Sequence, residues 1–320
     1  MYGIGEEKMT NNAFKIKEKR TSILSLIYLV VTVFTGIVLS GEMAELVSEG
    51  MSLAVRCVVP SSFPFMIISD LYVSYGHPEK IKSVEWLAYR LLGLPASAIG
   101  ALICGNVGGF PIGAKITGDL YREGAIDRES AERLMALSAN PSSAFIVGAV
   151  GLGMYRDETI GVILLLSVYL SSLTCGFLTK QKHNNTLYSD NIMRQNYNFV
   201  VSVKNAGISS VSVISFVSLF SVIVGLIKKY VKIGSVVYPL IAILEVTNAA
   251  KIFADSSLFP TVLSVSLVAF SLGFGGLSVL MQNAVFIEGT GLKMKKYTVI
   301  KLMQGVISAA LATLFTLIYI

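Results

Sequence analysis

Long uncharged runs alternate with short polar or charged breaks along most of the chain. Thr21 to Gly41 runs uncharged for about 21 residues, enough to cross roughly 30 Å of hydrocarbon as a helix. Thr159 to Thr179, Asn205 to Ile227 and Leu302 to Ile320 each fit one span, and shorter windows lie at Cys57 to Ser69, Leu134 to Tyr155 and Ile233 to Leu244. Ser256 to Ile287, about 32 residues, is too long for one span and too short for two. Gly273-Phe-Gly-Gly276 lies near its middle, where consecutive glycines weaken a helix and permit a turn. Leu91 to Ala114 is interrupted in the same way by Gly105-Asn-Val-Gly-Gly-Phe-Pro-Ile-Gly113, in which Pro111 lacks a donor and biases Phe110 away from helical angles. The pattern predicts an all-α polytopic membrane protein with two helices broken or re-entrant at depth.

Composition agrees. Of 320 residues, 53% are hydrophobic and 14% charged, and mean hydropathy is +0.68. So few charges cannot cover the surface of a soluble fold, for which roughly a quarter charged is usual. The net charge of +6 sits in clusters beside apolar runs: Lys15, Lys17, Lys19 and Arg20, then Lys180 and Lys182, Lys228, Lys229 and Lys232, and Lys293, Lys295 and Lys296. That placement marks membrane-flanking cations and excludes a basic groove for nucleic acid. The basic start, the long apolar run and the lack of a small-x-small motif after it predict a retained signal anchor with a cytoplasmic N-terminus, rather than a cleaved signal peptide. Cys57, Cys104 and Cys175 are widely spaced in apolar stretches, which gives neither a disulfide framework nor a CxxC site. With two histidines, His77 and His183, no catalytic triad or histidine metal site forms, and no Walker pattern or dinucleotide loop occurs. An enzyme is not expected, nor a resident cofactor or metal; a coupling Na+ or H+ is left open.

The two halves share an order of elements. Gly275-Gly276 lies 167 positions after Gly108-Gly109, and the same offset sets Gln282 on Lys115 and Gly291 on Gly124. Ser62 to Ser74 can be laid on Phe216 to Lys228 at a shorter offset. Paired Gly/Pro-interrupted segments in corresponding places are a sequence pointer to a transporter site, and the expected relation is an inverted repeat. Chance likeness between apolar segments is the alternative. The expected organisation is a cytoplasmic basic tail (1–20), an N-terminal transmembrane helix (21–41), a first repeat (42–180), a polar linker (181–197) and a second repeat (198–320).

A few polar side chains lie within apolar runs. Lys115 follows the first break, and a cation inside a span costs about 3 kcal/mol, so it has a partner or ligand unless it snorkels. Asp70, in FMIISDLYVSY, is the nearest obvious acid to pair with it, or else marks a span end. Glu245 and Asn248 fall on one face of a helical turn; facing a cavity they could hold a cation, a proton or a hydroxyl, and at a helix end they would be solvated. Gln282 and Asn283 need partners if buried, from a ligand or from neighbouring helices. Gly108, Gly109, Gly275 and Gly276 shape backbone at the breaks, with Phe110, Pro111, Asn140 and Ser278 beside them. The charged run Arg122 to Arg133 reads as an interfacial face with i,i+4 pairs such as Glu129 and Arg133.

Gly105 to Tyr155, with GFPIGAK, an ERLMALS helix and a break at Ala139-Asn140-Pro141-Ser142, is similar to the nucleoside-recognition (Gate) domain, and resembles more closely the YlbJ-type sporulation integral membrane proteins. The likeness continues in Ser61 to Gly76, Leu244 to Lys251 and Ser271 to Gly305. It implies a multi-pass inner-membrane protein with a role in spore formation and a transport activity of undefined substrate. The chain departs from the family in being shorter and in carrying Ala-Asn-Pro-Ser where an Asn/Ser-rich break is usual. The expected function is movement of a small polar or anionic solute, nucleoside-like in kind, by alternating access; a non-transporting scaffold for spore assembly is the alternative. Expected partners are the lipid bilayer and the solute, with a homo-oligomer or other sporulation membrane proteins left open.

Overall fold

A computed structural model describes residues 39–75, 82–180, 198–231, 237–255 and 258–320, with a few single positions between 29 and 37. The basic tail, most of the expected first span, the linker 181–197, His77 and His183 lie outside the described residues. Residues up to Ser48 form one unit and Glu49–Ile320 another. In the first unit Ser40–Ser48 is helical, the start of α1 (Ser40–Leu53). The second unit holds a π-helical turn (Ala54–Val58), α2 (Val59–Tyr75), α3 (Lys82–Leu92), α4 (Ala98–Gly108), α5 (Ile112–Arg122) and α6 (Arg128–Ser138). A π-helical segment (Ala144–Tyr155), α7 (Glu158–Leu178), α8 (Phe199–Tyr230), α9 (Val237–Leu244), α10 (Val246–Phe253), α11 (Thr261–Phe274), α12 (Gly276–Phe286) and α13 (Met294–Tyr319) follow. No strand occurs among the described residues.

Among the described residues five helical runs are long and apolar enough to cross a membrane: Ser40–Tyr72, Glu158–Leu178, Phe199–Tyr230, Thr261–Phe286 and Met294–Tyr319. Hydrophobicity alone does not decide which side chains of these runs are buried. On α7 the small residues Gly161, Ser167, Ser171, Ser172 and Gly176 are buried while Leu166, Leu170, Leu173 and Phe177 are exposed. Lipid solvates leucine as well as protein does, so close helix packing, not oiliness, decides which face turns inward. The protein is therefore an all-α, multi-pass membrane protein.

Both expected interruptions are present and they differ in kind. α4 and α5 fold back on each other as a hairpin with its tip at Gly109-Phe110-Pro111. Ser97, just before α4, donates to the Ala125 carbonyl past the end of α5 at 3.3 Å, so both outer ends lie together. Gly109 has φ +86°, an angle glycine reaches without strain. A Cβ at Gly105 or Gly113 would stand 2.2 or 2.3 Å from the Ser138 carbonyl, so only glycine allows the end of α6 to close on this tip. By contrast, α11 and α12 continue as one run bent at Gly275 and Gly276 (φ +84° and +79°). Both lie antiparallel to α13: Ser266 meets Thr313 at 2.6 Å and Asn283 donates to Tyr297 at 2.7 Å.

The inverted relation between halves is not what these elements show. α6 and α13 run side by side in the same direction, with Arg128 donating to the Gly291 carbonyl, Lys296 to Glu129 at 3.1 Å and Lys301 to the Ala139 carbonyl at 2.9 Å. α2 and α8 run antiparallel, with Asp70 beside Asn205 (2.9 Å) and Met66 beside Ser210 (3.8 Å). A two-fold axis in the membrane plane sets membrane-crossing helices antiparallel to their equivalents, an arrangement that α2 and α8 fit and that α6 and α13 do not. These pairings therefore do not establish one inverted unit used twice.

Candidate functional site

Three chain interruptions converge on one cavity. The α4–α5 tip contributes Gly108, Gly109 and Phe110, the break between α6 and the π-helical segment contributes Pro141 and Ser142, and the junction of α9 and α10 contributes Glu245, Val246 and Thr247. Ser61 and Ser62 of α2 and Gln282 of α12 complete the polar wall. The cavity volume is about 30 Å³, room for a water or two. Phe110 also reaches the second interruption, since a Cβ on Gly275 would lie 3.4 Å from the tip of its ring. The two glycine breaks therefore meet.

Glu245 is the acid in this wall. Its backbone is extended (φ −151°, ψ 121°), so it is the N-cap of α10 and not a member of the same helix as Asn248. The expectation that one helical face carries both residues is corrected accordingly: they meet because the carboxylate caps the helix. It accepts Thr247 N at 3.0 Å, Asn248 N at 2.6 Å and Asn248 Nδ2 at 2.9 Å, the last also donating to Ser221 at 3.3 Å. The side chain is buried, and among the described residues no Lys or Arg neutralises it. Helix N-terminal amides and their dipole stabilise the carboxylate instead. Gln282 donates to Ser278 within α12 at 3.3 Å, and the rest of its amide faces the cavity. Asn283 turns away to Tyr297 and does not line it.

Lys115 and Asp70 are brought together as expected, but away from this cavity. Lys115 on α5 is ion-paired with Asp70 on α2, with Asp119 one turn along at 3.5 Å, and Asn205 of α8 holds the other Asp70 oxygen. Asp119 in turn pairs with Arg122 at 3.0 Å. The cluster ties the hairpin to α2 and α8 through a buried charge balance.

Asn140 joins a second polar cluster that sequence reasoning missed, around Lys301 and Gln304 of α13. Lys301 donates to the Ala139 carbonyl, Asn140 Oδ1 and Gln304 Oε1 at 2.9, 2.9 and 2.8 Å. Lys301 follows the flanking cations Lys293, Lys295 and Lys296, so it reads as one more of them. The available signal is that it falls inside the apolar run with Gln304 one turn later. Arg133 likewise departs from its expected place on a solvated face. It is buried and donates to the carbonyls of Gly93, Leu92 and Gly176 at 3.2, 2.6 and 3.3 Å, meeting carbonyls that the ends of α3 and α7 leave open. Glu129 pairs with Lys296 instead.

No protein-family model matches the chain, and no solved structure does, so the Gate domain stays a resemblance. The chain is similar to the sporulation integral membrane protein YlbJ of Bacillus subtilis (strain 168), at 26% identity over 318 residues, covering 84% of this chain and 76% of that protein. Together with the multi-pass helical fold, that likeness supports a YlbJ-type assignment for this protein.

Proposed function

We propose that this protein binds a small polar solute in the cavity between its chain interruptions and moves it across the cell membrane by alternating access, in the course of sporulation. The role is binding and movement, with no bond made or broken, and the N-terminus is cytoplasmic. The observation that carries the reading is the convergence of three interrupted segments on one small cavity, largely apolar in lining, into which Glu245, Gln282 and a few hydroxyl-bearing residues are set. Irregular backbone at membrane depth is tolerated only against protein or a water-filled cavity, and transporters place their sites at such breaks. The polar wall combines serine and threonine hydroxyls, a glutamine amide and the Glu245 carboxylate, while Lys115 lies elsewhere. That balance favours a neutral, hydroxyl-rich solute such as a nucleoside, or a cation, over an anion. Glu245 is where a coupling proton or Na+ would be taken. At about 30 Å³ the cavity holds at most a water or two, so a solute enters only after it widens.

The test is uptake of labelled nucleosides, with amino acids as a second class, into proteoliposomes of the full chain. Glu245→Gln and Gln282→Ala should each cut uptake about tenfold or more, the scale of losing one buried, charge-assisted contact. Lys296→Ala should not. Uptake that survives both substitutions would remove the site. The small cavity also favours a second reading, a non-transporting membrane scaffold for spore formation. That reading predicts no uptake, and rescue of a sporulation defect by Glu245→Gln protein.

A further inference from the structure

The Lys301 ammonium is fully buried, and its three N–H groups each meet an oxygen, from Ala139, Asn140 and Gln304. Those oxygens share one polarity. Ala139 is the C-cap of α6, where terminal carbonyls carry the negative end of the helix dipole. The amide NH2 groups of both neighbours donate to other oxygens and not toward Nζ. Asn140 Nδ2 donates to Asn106 Oδ1, the Leu137 carbonyl and Ser172, at 2.9, 2.9 and 3.2 Å. Gln304 Nε2 donates to Asn140 Oδ1 at 2.8 Å and the Val168 carbonyl at 3.1 Å. The three groups that meet Nζ thus each present an oxygen to it. The face of Phe110 lies 5.8 Å from the ammonium, a further cation-seeking group. Among the described residues no carboxylate is a partner, whereas Lys115 has two. A set of neutral oxygens with no anion is how proteins hold a dehydrated monovalent cation.

We propose that this cluster is a monovalent-cation cage whose cation is the Lys301 ammonium itself, tethered to α13, and that removing the side chain opens the cage to free ammonium or methylammonium. All three N–H groups are used, so the native cage is closed to ions from solution. The inference goes beyond the transport reading and stands or falls without it. One ring, Phe110, separates the cage from the solute cavity.

The test is thermal unfolding of the purified full chain in the chlorides of sodium, potassium, ammonium, methylammonium and choline at one ionic strength. The wild-type protein should unfold at the same temperature in all five. Lys301→Ala should unfold lower in choline and regain about 2–4 °C or more in ammonium or methylammonium. No gain, or an equal gain in every salt, overturns the proposal. If Lys301→Ala does not survive purification, its folded yield after solubilisation decides: severalfold higher in methylammonium than in choline supports the cage, and equal yields overturn it. Lys301→Met, which fills the space without charge, should unfold several degrees below wild type in every salt. A Met variant as stable as wild type shows that no cation is needed there.

Discussion

Among the described residues two lysines are buried, Lys115 and Lys301, and they are neutralised by different means. Lys115 meets charge with charge, through Asp70 and Asp119, while Lys301 is held by carbonyl and amide dipoles alone. The first arrangement joins α5 to α2 and α8; the second joins the break after α6 to the middle of α13. A fixed ion pair resists separation, because parting it strands a charge in a low-dielectric interior. A cage of dipoles holds its ion without a counter-charge, and its oxygens can be shared among helices that shift. The hairpin is thus stapled to its neighbours by charge, and α13 is held to the break after α6 by dipoles.

The largest expected effect comes from unbalancing the pair. Asp70→Asn removes the nearer of the carboxylates paired with Lys115 and should cost about 3–5 kcal/mol, while the double variant Asp70→Asn, Lys115→Met should recover most of that loss. Denaturation of the three proteins in one detergent checks both statements, and additive losses would break the claim of a charge balance. Lys301→Met should cost less, about 1–3 kcal/mol, because it leaves neutral acceptors without a donor and not a bare charge. A larger loss at Lys301 than at Asp70 would reverse the comparison. Glu245→Ala removes the cap of α10 and should cost about 0.5–2 kcal/mol, together with the loss of uptake. Smallest is the exposed pair Glu129 and Lys296, 3.1 Å apart, for which a double-mutant cycle should give about 0–1 kcal/mol.

Much of this was legible in the sequence, for reasons that also explain what was not. Asp70 and Lys115 stand out because ionisable groups are costly in apolar runs, and their pairing follows from there being few candidates. The glycine breaks are legible because glycine and proline act on the backbone locally. Lys301 is hidden because a cation near the start of a span looks like a flanking charge, and its oxygen partners come from Ala139 and Asn140, about 160 positions away. Glu245 is legible as a residue, but its capping role depends on where α9 stops. The direction in which equivalent helices pack leaves no mark on the order of elements, so an inverted repeat and the observed parallel pairing of α6 with α13 read alike.

Alternating access requires that the cavity between the breaks open to each side of the membrane in turn. Its most direct test is thiol labelling of Ser142→Cys in a protein whose Cys57, Cys104 and Cys175 are replaced by alanine. A membrane-impermeant reagent should modify this residue from the outside of cells and also from the cytoplasmic side in inverted vesicles, although Ser142 is buried in the cavity wall. Modification from one side alone, or from neither, would contradict alternating access.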